Sequence, residues 1–425
     1  MKIENVKGGY DYLPKEQYIR NYINKILEST FIKYGYKPVE TPIITYYDIL
    51  SDKYDENNDL LKEIYKLTDQ GNRKLGLRYD LTVPFAKLIS NNKNVLRFPF
   101  KRYEIAKVFR DGPIKKGRDR EFTQCDVDVV GIEGQLIEAE LLTLYVDAFN
   151  ELGIDIIIKY NSRKLMSGLI KEAGVSDDKI SSTITIIDKF NKLSQKEIRD
   201  LLLSIGLDNE QIDKLLNYFK LSIEELNNVN SNNELLNKGL EEINNLTEYI
   251  KYLNIDKYVS FDSTLARGQD YYTGNVFEVY EANNKLTSSI GGGGRYDNMI
   301  TNFINDGNSY PAVGISFGLS SLYELLKDKE FDNNDYIYII PMDTNLYCLK
   351  LATLLRNMGY KVEIEPNNRR VKKCIEYADK ENIPYIIVVG SDEVNTNKFK
   401  IRNMKNKEEY TIDLNNIESV KEYIK

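Results

Sequence analysis

Leu265-Ala266-Arg267-Gly268-Gln269-Asp270-Tyr271-Tyr272-Thr273-Gly274-Asn275-Val276-Phe277-Glu278 joins one cation to two adjacent tyrosines and then runs into a strand. Val276, Glu278 and Tyr280 alternate with Phe277 and Val279, the period of a pleated strand. Gly268 and Gly274 let the backbone bend on either side of the tyrosine pair. An arginine held there is a permanent charge with a rigid donor fork, suited to a phosphate or a carboxylate. Taken alone, the stretch also fits a strand end with a surface arginine and packed tyrosines.

The 425 residues suit about two to four domains, and a hydrophobic share of 42% is enough for real cores. Charged residues make up 29% and the net charge is −7, which argues against a generally basic nucleic-acid coat but leaves room for a local basic groove. No apolar run approaches the roughly 18 residues of a membrane span. The opening Met1-Lys2-Ile3-Glu4-Asn5-Val6-Lys7 has no signal-peptide core. Cys125, Cys348 and Cys374 are far apart and odd in number, so they give neither a disulfide framework nor a metal spacing. A reduced, cytoplasmic setting with no membrane partner is expected. The chain holds no histidine, which excludes histidine catalysis and histidine metal ligands of its own. Acid–base and electrostatic work falls to Asp, Glu, Lys, Arg, Tyr or bound ions.

Three further stretches keep company with the first: Arg78-Tyr79-Asp80-Leu81-Thr82-Val83-Pro84-Phe85, the segment from Phe109 to Gly131, and Gly293-Gly294-Arg295-Tyr296-Asp297. In this order, across nearly the whole chain, they resemble the histidyl-tRNA synthetases, a family of class II aminoacyl-tRNA synthetases. The resemblance implies an α+β fold: an antiparallel-sheet catalytic domain with a helical insertion, followed by an α/β anticodon-binding domain. It also implies ATP with Mg²⁺, L-histidine and tRNA(His) as partners, and a homodimer. We expect the catalytic domain at residues 1–160 and 259–327, the insertion at 161–258 and the anticodon-binding domain at 335–425. An enzyme of this kind without histidine needs none of its own substrate to be made. Compositional drift toward Asn, Lys, Ile and Tyr explains the absence as well.

Lys15 to Tyr34 reads as an amphipathic helix, with Ile19, Ile23, Ile26, Leu27 and Phe31 at helical spacing and Gly35 to end it. Tyr36 to Pro42 is extended, and together the two resemble motif 1, which implies the dimer interface. Ser51 to Asp69 is charged and expected to be mobile. Lys74 to Tyr79 predicts a strand that ends near Asp80 and Thr82, a carboxylate and a hydroxyl. A surface aspartate capping the next turn fits too. The resemblance gives the pair to the α-amino group of histidine, which needs a charged partner once desolvated.

Lys101 to Gln124 carries eight Lys/Arg against four acids, a local net of +4. It reads as a hairpin, with Val108-Phe109-Arg110 ending one strand, a loop over Asp111 to Arg118 and a returning strand over Glu121 to Val130. As motif 2, it implies that Arg110 grips the α-phosphate, with Arg118 and Arg120 toward ATP and Lys115 and Lys116 toward the tRNA acceptor end. Gln124 and Asp128 share one strand face, and the resemblance turns it to the histidine imidazole. The family form has Glu two residues after the first Arg; Gly112 stands there, which puts one contact to the adenine end of ATP in doubt.

Leu136 to Leu152 is a helix, Ile154 to Tyr160 a buried strand, and residues 161–258 are helical with a polar linker at Asn227 to Asn233. Gly291 to Gly294 permits close approach of a ligand or forms a flexible strand-end loop; no Gly-Lys-Ser/Thr follows, so it is no Walker loop. The resemblance places Tyr271, Tyr272 and Tyr296 at the histidine and makes Arg267 and Arg110 the catalytic pair about the α-phosphate. Ala312 to Phe317 with the helix from Leu319 looks like motif 3, but Ser321 stands where most class II enzymes carry arginine. No metal cluster of the chain's own is expected. Beyond Asp335, strand and helix alternate as a small α/β domain. Arg369, Arg370, Lys372 and Lys373 open its second helix, against the helix dipole, which suits RNA phosphates or a solvated face. The rival from another class is a non-catalytic, histidine-binding paralogue that regulates ATP phosphoribosyltransferase.

Overall fold

A computed structural model of the chain describes residues 3–51, 59–114, 119–190, 192–267, 271–329 and 335–424. The chain divides into two compact units, Met1–Asp328 and Lys329–Lys425. The first unit contributes β1 (Lys37–Pro38), β2 (Ile44–Tyr46), β3 (Lys66–Thr68), β4 (Lys74–Leu77), β5 (Phe100–Phe109), β6 (Glu121–Val130), β7 (Ile156–Ser162), β8 (Val259–Phe261), β9 (Asn275–Glu281), β10 (Gly291–Arg295) and β11 (Ala312–Gly318). Eight of these form one sheet in the order β1-β5-β6-β11-β10-β9-β7-β8. Only the edge strands β1 and β8 pair in parallel; every inner pairing is antiparallel.

Alternation along β6 separates two worlds. Cys125, Val127 and Val129 are fully buried, and Phe317 stands opposite Cys125 in register. The helices Pro14–Lys33 and Leu136–Leu152 cover that face, with Phe31, Tyr145 and Phe149 ringing Phe317 at 5.7, 4.7 and 5.4 Å. These rings bury large apolar area and fix how the helices lie on the sheet. Gln124, Asp126 and Asp128 take the other face.

The first helix begins at Pro14, with the Glu16 carboxylate accepting from Leu13 N–H at 2.9 Å, and ends at Gly35 in the left-handed region (φ 79°). The stretch expected to be mobile, Ser51 to Asp69, holds more structure than its charge suggests: a short helix Asp59–Lys62 and β3, which pairs with β4. Buried Ile64 anchors it; residues 52–58 of that expectation lie outside the described ones. Gly291 to Gly294 is neither loop nor strand end. It is the buried strand β10 between β9 and β11. A Cβ on Gly292 would lie 1.6 Å from Arg267 Nη1, and one on Gly294 2.8 Å from the Tyr272 ring. The glycines leave room for those side chains rather than for free backbone motion.

Between β7 and β8 the chain is helical, with reciprocal capping boxes at Ser194/Glu197, Asp208/Gln211 and Ser222/Glu225. The helices Arg163–Glu172 and Glu234–Tyr252 cross at two glycines: a Cβ on Gly168 or Gly239 would meet the partner's backbone at 2.4 or 2.2 Å. The second unit is a five-stranded sheet, order β13-β12-β14-β15-β16, with β12 Tyr336–Pro341, β13 Lys361–Ile364, β14 Tyr385–Val389, β15 Lys398–Asn403 and β16 Glu409–Asp413. Alternate residues of β12 feed two cores, Ile337 and Ile339 on one face and Tyr338 and Ile340 on the other. Among the described residues, no helix is long and apolar enough to cross a membrane, and all three cysteines are buried and free.

Candidate active site

The polar face of β6 floors a cavity of about 580 Å³ in the first unit. Gln124, Asp126 and Asp128 lie along it, with Gly314 and Ser316 of β11 beside them. Gly314 has to be glycine, because a Cβ there would stand 1.8 Å from Asp128 Oδ1. Arg102 of β5, wholly buried, reaches from the next strand and puts Nη2 2.7 Å from Asp128 Oδ2. Tyr296 donates its hydroxyl to Asp128 Oδ1.

Asp80 does not end a strand, since β4 stops at Leu77. It caps the helix Thr82–Asn92, Oδ1 accepting from Val83 N–H at 3.1 Å. It is not a surface cap either, being 3% exposed. Its other oxygen, Oδ2, is buried with no partner among the described residues, as are Gln124 Oε1 and Asp126 Oδ1. Burial pushes the Asp80 carboxyl up to about 6, against the pull of Val83 N–H and Arg110, and the Asp126 carboxyl up to about 7, against Arg102. Asp128 is likewise raised by burial. At this end of the cavity buried acceptors stand without donors, which suits a cationic, N–H-bearing ligand.

The two expected catalytic arginines both line this cavity. Arg110 donates Nε–H to Tyr79 O at 3.0 Å and lies 5.1 Å from the centre of the Phe122 ring. Arg267, with a left-handed φ of 50°, donates from Nη1 to Phe277 O at 2.8 Å and has Glu278 at 4.0 Å. One carbonyl fixes each fork, and other N–H groups remain for a ligand. Thr82, Tyr271, Tyr272 and Tyr296 also line the cavity, the Tyr271 ring 4.7 Å from Tyr272 and 5.9 Å from Tyr296.

Arg120 does not join them. It stands outside the lining, its guanidinium 3.3 Å from Asp111. Lys115, Lys116 and Arg118 lie outside the described residues. In the second unit, Arg369 is committed to the buried Glu365, Nε at 2.7 Å, while Arg370, Lys372 and Lys373 are exposed. Ser320 and Ser321 line the cavity where motif 3 has its arginine. Arg20 of the first helix stands nearby, 5% exposed, donating to Thr123 Oγ1 at 3.4 Å. Asp126, Arg102 and Glu63 were missed from the sequence. Asp126 was within reach of it, midway between Gln124 and Asp128 at strand period; Arg102 and Glu63 gave no local signal.

A family model for histidyl-tRNA synthetase matches residues 8–322, and one for an anticodon binding domain matches 336–422. This chain belongs to the histidyl-tRNA synthetase family. Histidine–tRNA ligase 1 of Bacillus cereus is 45% identical over 423 residues, 98% of this chain and 99% of that protein. A crystal structure of the family from Nostoc superposes with a TM-score of 0.86 at 28% identity, covering all of both chains. The fold alone is shared with a Bacillus halodurans chain described as an ATP phosphoribosyltransferase regulatory subunit/histidyl-tRNA synthetase, with a TM-score of 0.75 at 23% identity over 89% of this chain and 97% of that one. The family's catalytic architecture, a mostly antiparallel sheet followed by an anticodon-binding domain, is the one expected from the motifs.

Proposed function

We infer that this protein is a histidine–tRNA ligase, activating L-histidine with ATP and passing the histidyl group to tRNA(His). One observation carries the reading: Asp80 Oδ2, Gln124 Oε1 and Asp126 Oδ1 are buried acceptors without donors, in a cavity that also presents Arg110 and Arg267. Histidine has the complementary pattern, an ammonium and a carboxylate on one carbon and an imidazole N–H at the end of its side chain. Asp80 and Thr82 take the ammonium. Gln124, Asp126, Asp128 and Tyr296 take the imidazole, with Tyr271 and Tyr272 packed beside it.

ATP enters as its magnesium complex, the metal neutralising the leaving pyrophosphate. A histidine carboxylate oxygen attacks the α-phosphorus, the bond to the β-phosphate oxygen breaks, and pyrophosphate departs. No protein nucleophile is required. Arg110 and Arg267 hold the charge that grows on the α-phosphate oxygens, in a site where fixed donors act more strongly than in water. The 3′-terminal ribose hydroxyl of tRNA then attacks the histidyl carbonyl carbon and AMP leaves. Arg118 belongs to the nucleotide side of this reading, whereas Arg120, paired with Asp111 outside the lining, does not. Lys115 and Lys116, with Arg369, Arg370, Lys372 and Lys373 of the second unit, belong to the RNA side, Arg369 as the helix's anchor. Ile43, Ile44 and Tyr46, 41, 52 and 50% exposed near β2, offer an apolar face for a second copy.

Aminoacylation with labelled histidine tests the whole. Charging of tRNA(His) and of no other tRNA is expected. Histidine binding without charging would point instead to the regulatory paralogue.

A further inference from the structure

The family's motif 2 glutamate is missing at Gly112, yet its place is filled. A Cβ built on Gly112 would lie 2.9 Å from Glu63 Oε1 and 3.0 Å from Glu63 Cδ. Glu63 belongs to a different segment, just after the helix Asp59–Lys62, and is fixed from two directions. Its carbonyl accepts from Asp111 N–H at 2.7 Å, and the next side chain, Ile64, is 3% exposed in the core. The half-buried Glu63 lines the cavity with Arg110, Gly112 and Phe122. Among the described residues, no hydrogen bond or ion pair engages its carboxylate. Asp111, the other acid of the turn, is spent on Arg120 and lies outside the lining.

The geometry points to Glu63 as the residue that selects the nucleotide base, accepting a hydrogen bond from the 6-amino group of adenine in place of the absent motif 2 side chain. The inference rests on the reading of this cavity as an ATP site. A carboxylate repels phosphate oxygens, so in this cavity it suits the uncharged end of the nucleotide. A 6-amino purine offers it an N–H donor. A 6-oxo purine puts an oxygen at that position and moves its donor to N1–H, so a carboxylate set for the 6-amino group faces an acceptor, and sites built on such a bond discriminate strongly. Phe122 lines the same cavity, its ring 5.1 Å from the Arg110 guanidinium. Gly112 is then a consequence: a side chain there would compete with Glu63 for one space.

The test compares ATP with inosine triphosphate in histidine-dependent pyrophosphate exchange. In Glu63→Ala, the KM for ATP is expected to rise about tenfold with kcat little changed, and the preference for ATP over inosine triphosphate to fall by about ten- to a hundredfold. Glu63→Gln, nearly isosteric and able to donate, should shift preference toward inosine triphosphate. Glu63→Ala combined with Gly112→Glu should restore selectivity that the single variant loses. Wild-type ATP preference in both Glu63→Ala and Glu63→Gln overturns the inference. An unmutated chain that shows no exchange with histidine refutes instead the reading of the site as an ATP site.

Discussion

Arg267 is the residue on which the chemistry turns. Its fork is set by Phe277 O and by the space above Gly292. Arg267→Ala is expected to slow histidine-dependent pyrophosphate exchange by about 10²–10³, or roughly 3–4 kcal/mol, as when one oxyanion donor is lost. Exchange near the normal rate in that variant would remove Arg267 from the mechanism. Asp126 gives a second residue-level prediction. Its carboxyl is pushed up to about 7, mainly by burial. Folded Asp126 therefore binds a proton that the unfolded chain has released between about pH 4 and 7, and its contribution to stability worsens as pH rises through that window. Asp126→Asn lacks this slope. Without histidine, its stability relative to the parent should improve as pH rises from about 4 to about 7 and then level off. Denaturant midpoints that track the parent at every pH would contradict this. Asp126 also shows what the sequence offered at this scale. The i, i+2, i+4 run of Gln124, Asp126 and Asp128 is a local pattern that names one strand face. Glu63 and Arg102 reach the site by folding of distant segments, and nothing next to them in the chain says so.

At the scale of elements, β10 is the informative case. Glycines carry no alternation and favour no strand, so four in a row read as a loop. The strand exists because Arg267 and Tyr272 fill the volume that side chains of β10 would take. Those residues lie on a different segment, and the filling is visible only once β9, β10 and β11 are side by side. The motif 2 hairpin was legible for the opposite reason: Gln124, Asp126 and Asp128 alternate with Cys125, Val127 and Val129 in the returning strand, and the turn before it is rich in Gly and Pro. Two substitutions in β10 should part company. Gly292→Ala would drive a Cβ mainly into the Arg267 guanidinium, a movable side chain, with Phe277 O at 2.9 Å, and is expected to lose exchange activity with a smaller fall in melting temperature than Gly293→Ala. Gly293→Ala would press on Gly314 O and Ile315 Cα, backbone atoms 2.1 and 2.7 Å away that cannot step aside, and should cost about 3 kcal/mol of stability. Equal melting losses in the two would contradict this account of the strand.

For the molecule as a whole, two compact units divide the work: the first holds the cavity and the second an exposed basic helix start. Charge reversal of Arg370, Lys372 and Lys373 to Glu should raise the KM for tRNA at least about tenfold and flatten its salt dependence, while exchange without tRNA stays unchanged. Lost exchange would tie those residues to the catalytic unit instead. Arg369 is outside this set, because its guanidinium holds Glu365 below the usual carboxylate range, at about 2. The division into a sheet domain and a small α/β domain was legible from strand and helix alternation and from the order of motifs. The site was legible as a roster of residues, but not in the contacts that arm it. The central claim is that this cavity activates histidine in spite of Ser321, and pyrophosphate exchange with each amino acid in turn, with MgATP and no tRNA, tests it most directly. The account predicts exchange with histidine alone. No exchange with histidine, in a chain that still binds it, would contradict the account and make the protein a histidine sensor rather than a ligase.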